Sequence, residues 1–289
     1  MSTLYVVATP IGNLSDLTPR AAAVLGEVDF VAAEDTRVTA KLLNHLGLKK
    51  PLVSCYRHNE ADRADMIIDR ILAGESCAMC SDAGTPAVSD PGEELVRRAA
   101  ERGVNVVPIP GPSAVITALS ASGLASGRFC FEGFLPTSNR NRKVRLEQAR
   151  QEYRTMIFYE APHKLVRTLK DFYATLGDRT IVLARELTKI HEEIEHTTLA
   201  AAVEEYSMRE PRGEYVLIIE GLSEFAPLPD ELGPSDPDPI EEVARLRREE
   251  GLSLSDACRR AAQVCHMKKG EIYSMVIARQ NESGGDDED

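Results

Sequence analysis

Residues 77–92 read CAMCSDAGTPAVSDPG: four apolar residues, then a loop of small residues and prolines holding Asp82 and Asp90. A short apolar run passing through such a loop into a helix is the repeating unit of a parallel α/β sheet. Loops of this kind usually cradle a phosphate at the helix start. This one has no lysine or arginine, and acids flank it, so it suits a ligand other than a phosphate.

Outward from that loop, TLYVVAT (3–9), DFVAAE (29–34), LVSC (52–55) and NVVPIP (105–110) are short and rich in Val, Ile and Ala. They do not alternate with polar residues, which predicts buried strands of a parallel sheet. Thr18-Pro19 and Asp90-Pro91 each place a capping residue before a proline, which predicts two helix starts. Beyond GPSAVITALSASGLASGR (111–128), the runs RFCFEGFLP, TMIFYEAP, TIVLAREL and GEYVLIIEG predict a second set of strands, and HKLVRTLKDFYATLG (163–177) a helix between two of them. The expected class is therefore α/β, with an N-terminal α/β domain at 1–112 and a second at 113–222. A proline-rich linker (223–239), a small helical domain resembling a helix-turn-helix (240–280) and a disordered acidic tail (281–289) complete the expected chain. Ser253 or Ser255 is expected to cap the second of its helices, with 268–270 turning into the third.

The composition of the 289 residues, 43% hydrophobic and 28% charged, is that of a soluble globular protein. The first residues, MSTLYVVATPIGN, carry no basic leader and no run long enough for a membrane span. Six scattered cysteines then predict reduced thiols and a cytoplasmic location. A net charge of −12 argues against a nucleic-acid partner, but its distribution does not. The tail NESGGDDED holds five carboxylates, whereas residues 140–154 hold six bases against two acids. The helical segment is mildly positive, with eight bases against six acids, and reads equally as a docking cap or an RNA contact.

Familiar site motifs are missing. There is no G-x-G-x-x-G after a strand, no Walker sequence and no G-x-S-x-G elbow. His191 and His196 in HEEIEH are five apart, off a common helical face, so no metal is expected there. Cys77 and Cys80 lie in an apolar run without a second pair, which reads as a buried strand. What remains is three strand-to-loop junctions, at 7–18, 81–92 and 108–114, all expected at the carboxyl edge of one sheet, where ligands bind. Asp82 and Ser113 supply hydrogen-bonding side chains there.

VATPIGNLSDLTPRA, AAEDTR, SDAGTPAVSDPG, PIPGPSAVITALSASGL, FEGFLP, FYEAPHKL and ARELTKIHEE, in that order over about residues 3–221, together resemble the tetrapyrrole methylase superfamily, and within it the branch that methylates a ribose 2′-hydroxyl of a decoding-centre cytidine in 16S rRNA. The resemblance implies S-adenosylmethionine in a cleft between two α/β domains, a homodimer, and 16S rRNA or the small ribosomal subunit as partner. A sulfonium tolerates acids and is repelled by lysines, which fits the base-free loop. Carried over by position, the cofactor residues are Pro10, Asp82, Ala83, Gly84, Thr85, Val88, Pro110, Gly111, Ser113, Ala114, Phe158, Tyr159 and Leu187. A ribose hydroxyl needs help to lose its proton. The implied catalytic candidates are Asp35, His58, Glu186 and Lys189, with Glu34 and Glu160 also facing the cleft. Arg37, Arg140, Arg142, Lys143, Arg145 and Arg185 are the candidate RNA contacts. Plainer readings stand beside these: Asp35 as a helix cap, Glu34 paired with Arg37, and 140–154 as the charged face of an amphipathic helix. Two other functions stay open, a methyltransferase acting on a tetrapyrrole and a non-catalytic RNA-binding module.

Overall fold

The structure, a computed structural model, describes residues 3–56, 59–222, 238–265 and 267–283. Its first sheet holds β1 (Thr3–Val7), β2 (Phe30–Ala33), β3 (Leu52–Ser54), β4 (Cys77–Cys80) and β5 (Asn105–Ile109) in the order β3-β2-β4-β1-β5. Every neighbouring pair is parallel. β2 and β4 are buried at all four positions, whereas β3 and most of β5, the two edges, are half-buried or exposed. An edge has one neighbour only, and exposed Pro108, which lacks an N–H, is tolerated in β5 for that reason.

Helices α1 (Pro19–Glu27), α2 (Thr36–His45), α3 (Glu60–Leu72) and α4 (Glu93–Glu101) connect these strands. One face of the sheet buries Leu4, Phe30 and Met79 with Ile67, Ile68 and Leu95; the other buries Val7, Val31 and Ile109 with Leu25 and Leu42. Cys77 belongs to the first face and Cys80 to the second, because strand side chains alternate, so the two thiols cannot meet.

Thr18 caps α1, its hydroxyl accepting Ala21 N–H at 3.1 Å. The start expected at Asp90-Pro91 lies elsewhere. α4 begins at Glu93, after Gly92, and no side chain from its own first turn caps it. Glu60, at the start of α3 and 9% exposed, does so instead. Its Oε1 accepts the N–H groups of Gly92, Glu94 and Leu95 at 3.0, 2.8 and 3.1 Å. A long-range carboxylate thus satisfies the orphan donors that a local cap would otherwise take.

After α5 (Ala114–Ala121) comes a mixed sheet: β6 (Phe129–Phe134), β7 (Thr155–Glu160), β8 (Thr180–Arg185), β9 (Glu193–Thr198) and β10 (Tyr215–Ile219), ordered β6-β7-β10-β8-β9. β6 and β7 pair in parallel; the other pairs are antiparallel. β9, EIEHTT, is missed by the hydrophobic pattern because it is a polar edge strand; it holds exposed His196. Helices α6 (Asn139–Arg150), α7 (Pro162–Leu176) and α8 (Leu199–Met208) pack on a core that includes Phe158, Phe172, Leu183 and Leu217.

Contacts divide the chain into two compact units, residues 1–224, which hold both sheets, and 225–289. The second unit has α9 (Pro239–Glu249), α10 (Leu254–Val264) and α11 (Lys269–Ser283) around Val243, Leu246, Ala257, Ala261 and Ile272. Ser253 caps α10 by accepting Asp256 N–H at 3.2 Å. α11 starts at Lys269 and runs to Ser283, so the turn before it is shorter, and the helix longer, than expected. Most of the linker (223–237) and the end of the tail (284–289) lie outside the described residues. No described helix is long and apolar enough to cross a membrane.

Candidate active site

The loops after β1, β4 and β5 meet at the carboxyl edge of the parallel sheet, and hydrogen bonds join them. Thr9 and Gly84 exchange backbone N–H···O bonds at 2.9 and 3.0 Å. Thr85 Oγ1 donates to the Pro112 carbonyl at 3.2 Å, and Thr18 Oγ1 to the Pro110 carbonyl at 3.5 Å. The loop after β2 joins too: Asp82 Oδ1 accepts Asp35 N–H at 3.0 Å, and Glu34 Oε2 accepts Asp82 N–H at 3.3 Å.

A cavity of about 280 Å³ opens between these loops and the ends of β7, β8 and β10, near the lower end of small-molecule sites. Of the residues singled out in the sequence, Ala83, Gly84, Thr85, Val88, Ser113, Ala114, Tyr159, Glu160, Glu186, Leu187 and Lys189 line it. Ile11, Asp90, Phe134, Glu214, Tyr215 and Val216 line it as well and were not singled out for it. β10 runs antiparallel to β8, so its first residues, not its last, reach this edge. A rule that looks only at the carboxyl ends of strands passes over Glu214 and Tyr215.

Two lining loops share an unusual backbone. Ala87 and Ser89 have φ of 66° and 67°, and Glu186 and Thr188 have 52° and 67°. Among the described residues these are the non-glycine residues in the left-handed region, and each pair brackets a lining residue, Val88 or Leu187. Such strain gathers at ligand sites, where surrounding contacts enforce it. The β8 loop is also tightly seated. A β-carbon at Gly12 would stand 2.5 Å from Lys189 Cγ, and one at Gly213 (φ 76°) 2.5 Å from Glu186 Cγ.

The cavity's charges are four carboxylates, Asp90, Glu160, Glu186 and Glu214, against Lys189. Lys189 Nζ donates to Glu186 Oε1 at 2.9 Å and lies 3.6 Å from Glu214 Oε2. Desolvation would lower the Lys189 pKa, but its bond to Glu186 and the charge of Glu214 outweigh it, and the ammonium is held protonated above its usual range. Desolvation likewise opposes ionisation of Glu186, yet the bonds from Lys189 and Glu214 N–H carry it below the usual carboxylate range. Burial, then the charge of Asp90, pushes the Tyr159 phenol up to about 12.

Several sequence assignments are relocated. Phe158 is buried on the opposite face of β7 from Tyr159, its ring 4.8 Å from that of Phe172, so it is core. Pro110 and Gly111 brace the first loop rather than line the cavity: Gly111 packs so closely on Ala8 that a β-carbon would lie 3.0 Å from Ala8 Cβ. Pro10 and Asp82 line a second cavity of about 240 Å³ with Thr39 and Lys41 of α2. Asp35 caps α2, accepting Arg37 N–H at 2.8 Å, and grips the Arg37 guanidinium at 2.6 Å. The Arg37 bonds lower its pKa to about 2, which makes it a weak base. The partner of Arg37 is thus Asp35 rather than Glu34. Arg185 pairs with Glu193 at 2.7 Å with 18% of its side chain exposed. Arg145 pairs with Glu132 at 2.9 Å, and Arg142 is 5% exposed, so neither is a free phosphate ligand, whereas Arg140 and Lys143 are exposed on α6. His58 lies outside the described residues. Among the described residues no cluster of three or more His, Cys, Asp or Glu side chains is placed to hold a metal.

The family model for tetrapyrrole (corrin/porphyrin) methylases matches residues 3–203, which take in the first sheet, the second sheet except β10, and the cavity lining except Glu214, Tyr215 and Val216. The chain belongs to the tetrapyrrole methylase family. Ribosomal RNA small subunit methyltransferase I of Haemophilus influenzae is 46% identical over 279 residues, 95% of this chain and 96% of that protein. Its namesake in Synechocystis sp. is 44% identical over 278 residues, covering 96% and 98%. Among solved structures, uroporphyrin III C-methyl transferase from Thermus thermophilus superposes with a TM-score of 0.55 at 19% identity, over 75% of this chain and 97% of that one. That likeness establishes the two-sheet fold of the family.

Proposed function

We propose that the chain is an S-adenosylmethionine-dependent methyltransferase of 16S rRNA, acting on the ribose 2′-hydroxyl of a cytidine. The observation that carries this is the extent of the likeness. The family model ends at residue 203, but the rRNA methyltransferase relatives match 95–96% of the chain and so take in much of the helical unit as well. A tetrapyrrole methylase of the Thermus type, matching 75% of the chain, leaves that remainder without a counterpart.

The cavity fits the cofactor chemically. Ile11, Val88, Ala114 and Leu187 offer apolar surface to a neutral adenosine, and the four carboxylates suit hydroxyls, an ammonium and a sulfonium. When bound, S-adenosylmethionine supplies an electrophilic methyl group. The protein's part is alignment and handling of charge. Lys189, anchored by Glu186, is a fixed donor that stabilises negative charge as it develops on the ribose oxygen. Held protonated, it is no base, and Asp35, already engaged, is a poor one. By elimination among the candidates read from the sequence, His58 is the proposed proton acceptor. Arg140 and Lys143 are proposed phosphate contacts. The reading includes a cytoplasmic homodimer with domains at 1–112, 113–222 and 240–280. A monomer in light scattering at micromolar concentration would remove the dimer.

The test is transfer of labelled methyl groups to small ribosomal subunits lacking the modification, with naked 16S rRNA in parallel and the product mapped by resistance to alkaline cleavage. Label on one cytidine ribose is expected. Label on a tetrapyrrole and none on RNA would replace this reading.

A further inference from the structure

Arg142 sits in the middle of the basic stretch, yet α6 turns it inward: Arg142, Leu146 and Ala149 form the buried face of that helix. Its Nε donates to Asp171 Oδ2 at 2.7 Å and its Nη2 to Thr168 Oγ1 at 2.8 Å. Thr168, 1% exposed, has one hydroxyl proton, and with Arg142 already donating to its oxygen that proton goes to Glu160 Oε2 at 2.5 Å. The other carboxylate oxygen, Oε1, accepts Ala161 N–H at 2.8 Å. Glu160 is 4% exposed and stands in the cavity wall. A buried carboxylate needs such partners, and each oxygen keeps a further lone pair.

We propose that Arg142 and Thr168 are positioning residues of the cavity, which hold the Glu160 carboxylate in one orientation as acceptor for an O–H or N–H donor of the bound ligand. The inference rests on the reading of the cavity as the S-adenosylmethionine site. It moves Arg142 from the RNA to the cofactor, and it explains the direction of the chain of bonds: a guanidinium fixes the hydroxyl, which fixes the carboxylate. Every member is directly bonded to the next, so their effects are coupled rather than additive.

The test measures S-adenosylmethionine and S-adenosylhomocysteine binding by calorimetry, and RNA binding across a salt series, for the unsubstituted chain and for Thr168→Val, Thr168→Ser, Arg142→Gln and the Thr168→Val/Arg142→Gln double variant. Thr168→Val keeps the shape and removes the hydroxyl, which guards against a variant that simply fails to fold. It should weaken both ligands roughly tenfold, the size of one lost bond to a charged group. Thr168→Ser should restore the affinity, and the double variant should lose little more than either single one. RNA affinity and its salt slope should not move. 5′-Methylthioadenosine, which keeps the ribose hydroxyls and the adenine amino group and lacks the ammonium, separates the two ends of the ligand: a tenfold loss with it assigns a donor of the adenosine part, no loss the ammonium. Folded Thr168→Val and Arg142→Gln with full affinity would overturn the inference alone, as would a fall in RNA affinity with cofactor affinity intact. If the unsubstituted chain bound no S-adenosylmethionine, the reading beneath it would fall as well.

Discussion

The loop after β4 and the loop after β8 use the same backbone and different side chains. Each brackets one lining residue, Val88 or Leu187, between two non-glycine residues with positive φ. Yet the first follows a strand of an all-parallel sheet, and the second a strand paired antiparallel on both sides. The β4 loop lines the cavity with Ala83, Gly84, Thr85, Val88 and Asp90 and is held from behind by Glu60. The β8 loop carries Glu186 and Lys189 and is seated against Gly12 and Gly213. The β4 loop supplies mainly form, with Asp90 as its charge in the cavity, and the β8 loop supplies an anchored ion pair. The shared geometry is therefore independent of the kind of sheet that each loop follows.

Substitutions can separate the two roles. Lys189→Met should have the largest effect, lowering turnover about 100-fold with cofactor affinity nearly kept, as measured by single-turnover methyl transfer. A fall in affinity alone would make the β8 loop a shape element like its counterpart. Glu60→Gln, which acts on the β4 loop only, should destabilise the protein by about 2 kcal/mol in urea unfolding, since it weakens three bonds to a buried carboxylate. Its turnover per folded molecule should change less than that of Lys189→Met.

Outside both loops, Arg140→Ala and Lys143→Ala should each reduce the salt slope of RNA binding by about 1, leaving cofactor affinity alone. An unchanged slope would remove α6 from the RNA contact. The β8 loop also carries a pH signature. Glu186 is lowered in the fold, so its contribution is present above its ordinary 4.5 and lost as pH falls through the lower folded value. Lys189 is raised, so its contribution is present below its ordinary 10.5 and lost as pH rises through the higher folded value. Melting curves of Glu186→Gln should converge on those of the unsubstituted protein at the acid end; a constant gap would mean that the pair is not formed. The smallest effect is expected of Ala87→Gly, which relieves strain but adds chain entropy, and so should shift stability by less than about 1 kcal/mol.

The sequence makes the two-sheet plan legible because central strands such as CAMC and YVLII are continuous apolar runs that admit no other burial. It hides β9, whose polar residues occupy an edge, and it misplaces the start of α4, because Glu60 is 33 positions away from Glu93 in the chain and no local pattern announces it. The site follows the same division. Loop residues with motif signatures, Ala83 to Thr85 or Ser113 and Ala114, fall on the cavity. Charge alone misleads: Arg142 and Arg185 look like RNA ligands in one dimension and are internal ion pairs in three. Glu214 is invisible because its strand enters the edge backwards.

A crystal structure of the protein with S-adenosylhomocysteine would test the central claim most directly. The account predicts the ligand between the two strained loops, in contact with Val88 and Leu187 and with Glu160 accepting a hydrogen bond. A ligand seated instead beside Pro10, Thr39 and Asp82, in the second cavity, would contradict it.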